Sequence, residues 1–284
     1  LCEELRLPLA PYQRIQSKSD LLDAARSIGF PLIVKPSTVD AELFDRKAII
    51  ASSMDELTTA FFEWPIEHPE LIVQKFVSGP RHSVIFSAQN GRLLKATQVA
   101  ALRTHEDDGT GYTTYGITVA PHPALRSTTE KLVKHLNYSS TGCLQFIIDP
   151  QTDEVTFMEL NPRTSLARIS EAAGVNHSVI GLQQALGIDT AALGDPWDTK
   201  IGVRYAWTKG DLMRIKRGVK SGRMSFGHAA RDLCTIGMDA LRSQHAIFDP
   251  LDPMPAIGTY WHFLIKHLWQ RNYTDRPSRD FATE

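Results

Sequence analysis

The chain has 284 residues, 42% of them hydrophobic and 22% charged, with a formal net charge of −1. That balance suits a globular protein of one large or two modest domains. It holds no basic excess for a nucleic-acid groove, no acidic tail and no apolar run of membrane-spanning length. Three cysteines, Cys2, Cys143 and Cys234, lie far apart without a CxxC pair. Reduced thiols in a cytoplasmic protein are therefore expected, rather than a zinc site or a disulfide framework. The first residue is Leu1 and no signal-peptide pattern follows, so a portion of a longer protein is expected.

In chain order, Ser17 to Gly29 reads as a helix, with Ser19 as its cap and Gly29 as its stop. Pro31 to Lys35 is a buried strand stopped by Pro36, and Lys47 to Ala51 is a second strand. Ser53 to Phe62 is a second helix with acids in its first turn, and Leu71 to Phe76 is a third strand closed by Ser78-Gly79-Pro80. The next strands, His82 to Ala88 and Leu93 to Ala100, flank a Gln89-Asn90-Gly91 turn. A loop around Gly109 and Gly111 precedes a helix over Ser127 to Leu136. Cys143 to Asp149 and Glu154 to Leu160 form a second hairpin, and helices over Leu166–Ala173 and Ser178–Leu186 follow. After about Gly194 come basic helical stretches, Asp211 to Gly222 and Ser225 to Leu241, and an aromatic end, Tyr260 to Trp269. Trp261, Phe263, Leu264, Leu268 and Trp269 make an apolar stripe that reads as a core-packing helix rather than a membrane anchor.

The chemistry concentrates in Glu159-Leu160-Asn161-Pro162-Arg163. Alternation along an extended chain puts Glu159, Asn161 and Arg163 on one face. A carboxylate and an amide oxygen together suit a hard cation such as Mg2+, and a neighbouring guanidinium suits a phosphate. If the hairpin sets Gln145 opposite Glu159, a third oxygen ligand joins the cluster. The plain alternative is an edge hairpin whose polar residues face solvent.

Gln145 to Pro150 followed by Phe157 to Arg163 is similar to the metal-site block of ATP-grasp enzymes, in the version carried by the carbamoyl phosphate synthase large subunit. The likeness extends from Gly116 to about Gly187. It implies an α+β fold of two subdomains clamping ATP, with the small subdomain and hinge at 1–77, the large subdomain at 78–194 and a C-terminal helical extension at 195–284. The Rossmann-like domain that precedes this core in the family is not apparent in this chain. Site roles follow from the same resemblance. Gln145, Glu159 and Asn161 are expected to hold Mg2+, and Arg163 with Lys35 to stabilise the transferring phosphoryl group. Lys35 ends a buried strand, so a lysine snorkelling to the surface is its alternative. Lys47 is the candidate for a second phosphate charge, or else an exposed strand lysine. Gln74, Lys75, Phe76 and Val77 resemble the linker that pairs with adenine. His82, in Pro80-Arg81-His82-Ser83, resembles a histidine near the ribose, or is an ordinary strand-start residue. Arg103 and Arg168 are candidates for the substrate carboxylate, against the alternative of solvated arginines.

Two departures from the family pattern stand out. Ser37 to Phe44 carries no glycine where a glycine-rich phosphate loop is expected. The segment Ile247 to Ala256 and the aromatic end resemble instead the tail of uncharacterised bacterial ATP-grasp carboxylate–amine ligases. The expected activity is MgATP-dependent formation of an acylphosphate from a carboxylate and its capture by an amine. The rivals are phosphorylation of bicarbonate or carbamate and a non-catalytic nucleotide-binding subunit. The expected partners are small molecules, with neither nucleic acid nor membrane, and a homo-oligomer or a separate N-terminal domain completing the protein.

Overall fold

The structure is a computed structural model that describes all residues except 39–40, 45–47, 66–69, 107–110, 189, 191–192 and 274–284. Lys47 therefore lies outside the described residues. The chain divides into two compact units, residues 1–94 with 121–163, and residues 95–120 with 164–284.

The first unit opens with a four-stranded sheet in the order β1-β4-β2-β3. Its strands are β1 (Tyr12–Ile15), β2 (Leu32–Pro36), β3 (Ile49–Ala51) and β4 (Leu71–Lys75), and its helices are α1 (Lys18–Ile28) and α2 (Met54–Ala60). Both helices begin on a serine whose hydroxyl accepts a backbone N–H, Ser17 from Asp20 and Ser53 from Glu56, each cap contributing about 1 kcal/mol. Ser17, two residues before the serine expected from the sequence, is thus the cap of α1. Leu21, Leu32, Val34, Leu57, Phe61, Leu71 and Val73 form a closed apolar core between sheet and helices. Phe61 is fully buried there, and its truncation to Ala costs about 3–5 kcal/mol. β1 escaped the sequence reading because its four residues are mostly exposed and show no periodicity. It is held by antiparallel pairing with β4.

The same unit carries β5 (Arg81–Gln89), β8 (Ser140–Ile148) and β9 (Val155–Asn161), with β8 between the other two, and helix α3 (Pro123–His135). At the end of β5, Asn90 and Gly91 take φ of 48° and 73°. Those left-handed values are the two-residue turn geometry that an Asn-Gly pair favours.

The second unit contains the strand order β11-β10-β7-β6. Here β6 (Arg92–Thr104) enters from the first unit, and β7 (Thr113–Thr118), β10 (Arg204–Ala206) and β11 (Gln244–His245) follow. Around them lie α4 (Ala167–Ala172), α5 (His177–Ala185), α6 (Thr208–Lys220), α7 (Phe226–Ala240) and α8 (Met254–Tyr273). The segment after residue 194 is therefore not purely helical: β10 pairs antiparallel with β7, and β11 parallel with β10. Strands of three and two residues are too short for a sequence pattern to reveal. Gly210 lies under the Trp207 ring, where an added Cβ would meet ring carbons at 2.3 and 2.7 Å. Of the stripe on α8, Trp261 is exposed and Phe263 half-buried, and the side chains of Leu264, Leu268 and Trp269 lie outside the described residues. No helix among the described residues is long and apolar enough to cross a membrane.

Candidate functional site

The hairpin of β8 and β9 positions the site. Gln145 pairs with Glu159, as the metal-site reading requires, and Cys143 with Asn161. Between Gln145 and Phe146 the register slips, because Phe146 pairs with Phe157 and Met158 is left over. That bulge has a consequence for every side chain beyond it. Without it, alternation would set Phe157 on the same face as Glu159. With it, Phe157 turns to the core and packs edge-on against Phe146 at 5.6 Å, while Glu159 and Asn161 share the other face with Gln145 and Cys143.

On that face Asn161 Nδ2 donates to Glu159 Oε1 at 2.7 Å, which leaves Oδ1 as the amide's acceptor. The donors are hard oxygens with one carboxylate, and they fit Mg2+ better than a softer metal. Arg163 lies outside the strand and is exposed. Its N–H donates to the Asn161 carbonyl at 2.8 Å across Pro162, so strand alternation stops at Asn161.

Lys35, at the end of β2, donates to Gln74 Oε1 at 3.4 Å. Burial lowers the pKa of its ammonium, and the Glu159 charge works in the opposite direction. Arg81 has the same two influences, burial first and Glu159 second. Arg81 was not foreseen. β5 pairs with β8 so that Ser83 faces Gln145, Arg81 faces Ile147 and His82 faces Phe146. Odd-numbered residues at the start of β5 thus share the Glu159 face, and His82 takes the opposite one. There burial, aided by the charge of His122, takes the His82 pKa down to about 4. The signal that identifies Arg81 is the register: once Gln145 is opposite Glu159, the neighbouring strand decides which of Arg81 and His82 looks into the site.

The linker after β4 is held by its backbone. The N–H groups of Lys75 and Phe76 donate to the carbonyls of Pro11 and Pro31 at 2.8 and 3.0 Å. The Phe76 carbonyl and the Val77 N–H have no backbone partner among the described residues, which suits the edge of a purine. The Lys75 ammonium is bound to the carbonyls of Gly29 and Phe30 at 3.2 and 2.5 Å, behind the C-terminus of α1. Gly79 then crosses β8 closely. Its φ is 152°, and an added Cβ would lie 2.5 Å from the Ile148 carbonyl oxygen.

The two arginines expected for a substrate carboxylate belong to the second unit, and internal acids hold both. Arg103 grips Asp211 through Nε and Nη2 at 2.8 Å each, and Asp239 through Nη1 at 2.9 Å. Arg168 donates to Asp249 at 3.0 Å. Long-range pairs of this kind, between a strand and helices over a hundred residues later, leave no trace in spacing.

A family model described as the carbamoyl-phosphate synthase L chain, ATP binding domain, matches residues 1–192. Among curated proteins, the mitochondrial arginine-specific carbamoyl phosphate synthase large chain of Neurospora crassa is 24% identical over 278 residues, covering 88% of this chain and 23% of that one. The carbamoyl phosphate synthase large chain of Rubrobacter xylanophilus is 27% identical over 202 residues, covering 65% of this chain and 18% of its own. The chain thus spans less than a quarter of the length of these relatives. Of solved structures, N5-carboxyaminoimidazole synthetase from Staphylococcus aureus complexed with ADP superimposes with a TM-score of 0.55 at 15% identity, over 71% of this chain and 52% of that one. Biotin carboxylase from Campylobacter jejuni gives 0.54 at 16%, over 71% and 47%. At such identities the likeness is one of fold.

Proposed function

The chain belongs to the carbamoyl-phosphate synthase L chain ATP-binding domain family and has the ATP-grasp fold, and from that premise we propose that it is the MgATP-using core of a carbon–nitrogen ligase. The observation that carries this reading is the pairing of Gln145 with Glu159 on the face that Lys35 also senses.

In this account adenine lies on the linker at Phe76 and Val77, beside Gln74. Gln145, Glu159 and Asn161 would hold Mg2+, which when bound neutralises charge on the phosphates. Lys35 and Arg163 orient the γ-phosphoryl group and stabilise the charge on its oxygens. An oxygen of the acid attacks the γ-phosphorus, the bond to the β-phosphate oxygen breaks, and ADP leaves with that electron pair. The nitrogen of an amine then attacks the carbonyl carbon of the acylphosphate. The C–O bond to phosphate breaks, inorganic phosphate departs, and the amine loses a proton. The chain's contribution is position and fixed charge. Lys75, tied to Gly29 and Phe30, contributes by fixing the linker. The paired state of Arg103 favours a structural role over contact with the acid.

A second reading, with bicarbonate or carbamate as phosphoryl acceptor, is favoured by the carbamoyl phosphate synthase relatives. The test is phosphate release from ATP across a panel of acids with hydroxylamine present. Hydroxamate that depends on one acid supports the acylphosphate reading. Phosphate release that depends on bicarbonate, without hydroxamate, supports the second. ATP that is bound yet never hydrolysed under any condition contradicts both.

A further inference from the structure

Two elements of the site, the linker after β4 and the strand β9, are bonded to one short stretch of chain ahead of β1, and all three lie in the first unit. The Pro8 carbonyl accepts the N–H of Phe157 on β9 at 2.7 Å, and the Pro11 carbonyl accepts the N–H of Lys75 at 2.8 Å. Phe157 stands two residues before Glu159, and Lys75 adjoins Phe76. The stretch is seated by its side chains, since Leu7 and Ala10 are buried. It is fixed at both ends as well. Lys131 on α3 donates to the Leu5 carbonyl at 2.5 Å, and Tyr12, the first residue of β1, pairs with Gln74.

Its sequence, Leu7-Pro8-Leu9-Ala10-Pro11, makes it stiff. Each proline locks its own φ and biases the residue before it towards extended backbone, so only Leu9 keeps its ordinary freedom. The three steps from Pro8 to Pro11 reach at most about 11 Å. A plain cover for the edge strand β9 would need the bond to Phe157 and no second bond to the linker. A ligand that engages both linker and β9 is held well only where their separation matches its own length. We propose that residues 8–11 are a spacer that sets the separation of the adenine linker from the metal strand, with Pro8 and Pro11 as positioning residues. This rests on the nucleotide reading above. In that reading metal-free ATP lies on the linker and beside Lys35, and only the metal ion ties its phosphates to Glu159. The spacer therefore acts on the gain that Mg2+ brings and leaves the bare nucleotide alone. The Phe157 bond also adjoins the bulge at Met158, so the same stretch pins the register that turns Glu159 and Asn161 to one face.

The experiment compares the wild type with two variants: one glycine inserted between Leu9 and Ala10, and Ala10→Gly, which loosens the stretch at unchanged length. ATP is titrated calorimetrically into each with and without Mg2+, and circular dichroism checks the fold. The insertion is expected to keep metal-free ATP within about threefold of the wild type and to lose about tenfold of the tightening by Mg2+. Ala10→Gly is expected to lose about threefold of the same gain. Should the insertion prevent folding, Ala10→Gly decides alone. A merely structural stretch would weaken ATP equally with and without Mg2+, and that pattern overturns the proposal. A gain from Mg2+ that survives whole in the folded variants overturns the spacer alone. A wild type that binds no ATP, or whose ATP binding gains nothing from Mg2+, overturns the nucleotide reading itself.

Discussion

The two units handle buried charge in opposite ways. In the second, Asp211 is buried beneath Arg103 and Arg214, with Asp239 and Asp232 closing the cluster. Three carboxylates meet two guanidiniums, and Arg103 also lies 5.0 Å over the Tyr115 ring. The bonds of Arg103 to Asp211 and Asp239 and of Arg214 to Asp232 run at 2.7–2.9 Å, the range of charge-assisted contacts, while Arg214 Nε lies 3.9 Å from Asp211. In the first unit, Lys35 and Arg81 feel the charge of Glu159, which is exposed and accepts from the Asn161 amide at 2.7 Å. The same residue types thus fasten β6 to α6 and α7 in one place, and in the other line the face proposed to take the nucleotide. A buried cluster whose ions pair with one another serves stability, whereas a carboxylate on an exposed face is accessible to a ligand.

The sharpest way to break this contrast is to remove Asp211. Asp211→Ala leaves two part-buried guanidiniums short of their partner and should cost about 3–5 kcal/mol in urea unfolding. An unchanged midpoint would mean that the cluster is not the fastening proposed. Lys35→Met should do the reverse. Turnover should fall by about 100-fold, measured as phosphate release, while the melting temperature stays level or rises. A destabilised Lys35→Met protein would merge the two regions into one class.

A third prediction finds the units alike. Each shields a histidine from water, the half-buried His82 in one and the buried His177 in the other, and both are taken down to about 4 from 6.5, by burial first and, for His82, by the charge of His122 as well. The unfolded chain then binds protons that the folded chain refuses. Stability should therefore fall as pH drops from 6.5 towards 4 and level off below. Each histidine accounts for about 1–2 kcal/mol between pH 7 and pH 5. Urea titrations at those two pH values check it: His177→Gln should show the smaller difference, whatever its stability at pH 7. The smallest effect belongs to Arg168. Its pair with Asp249 is 39% and 34% exposed, so Arg168→Ala should shift stability by less than about 1 kcal/mol. The KM for the acid is the sharper readout, and a rise of tenfold or more would return Arg168 to the substrate.

What could be read from sequence divides along the same line. The hairpin was legible because Pro150 to Asp153 marks its turn and Gln145, Glu159 and Asn161 belong to a specific block. The small sheet was legible where strands are buried and helices are capped, and β1, exposed and unpatterned, was not. The bulge at Met158 and the choice of Arg81 over His82 depend on register, where a slip of one residue exchanges the two faces. Arg103 looked like a substrate ligand because its partners Asp211 and Asp239 come from helices much later in the chain.

The central claim is that the face around Glu159 binds a magnesium nucleotide. It is tested most directly by calorimetric titration of ATP with and without Mg2+, on the wild type and on Glu159→Gln, with circular dichroism confirming that both are folded. The account predicts that Mg2+ tightens ATP binding to the wild type and that this gain disappears in Glu159→Gln. An equal gain in both proteins would contradict it.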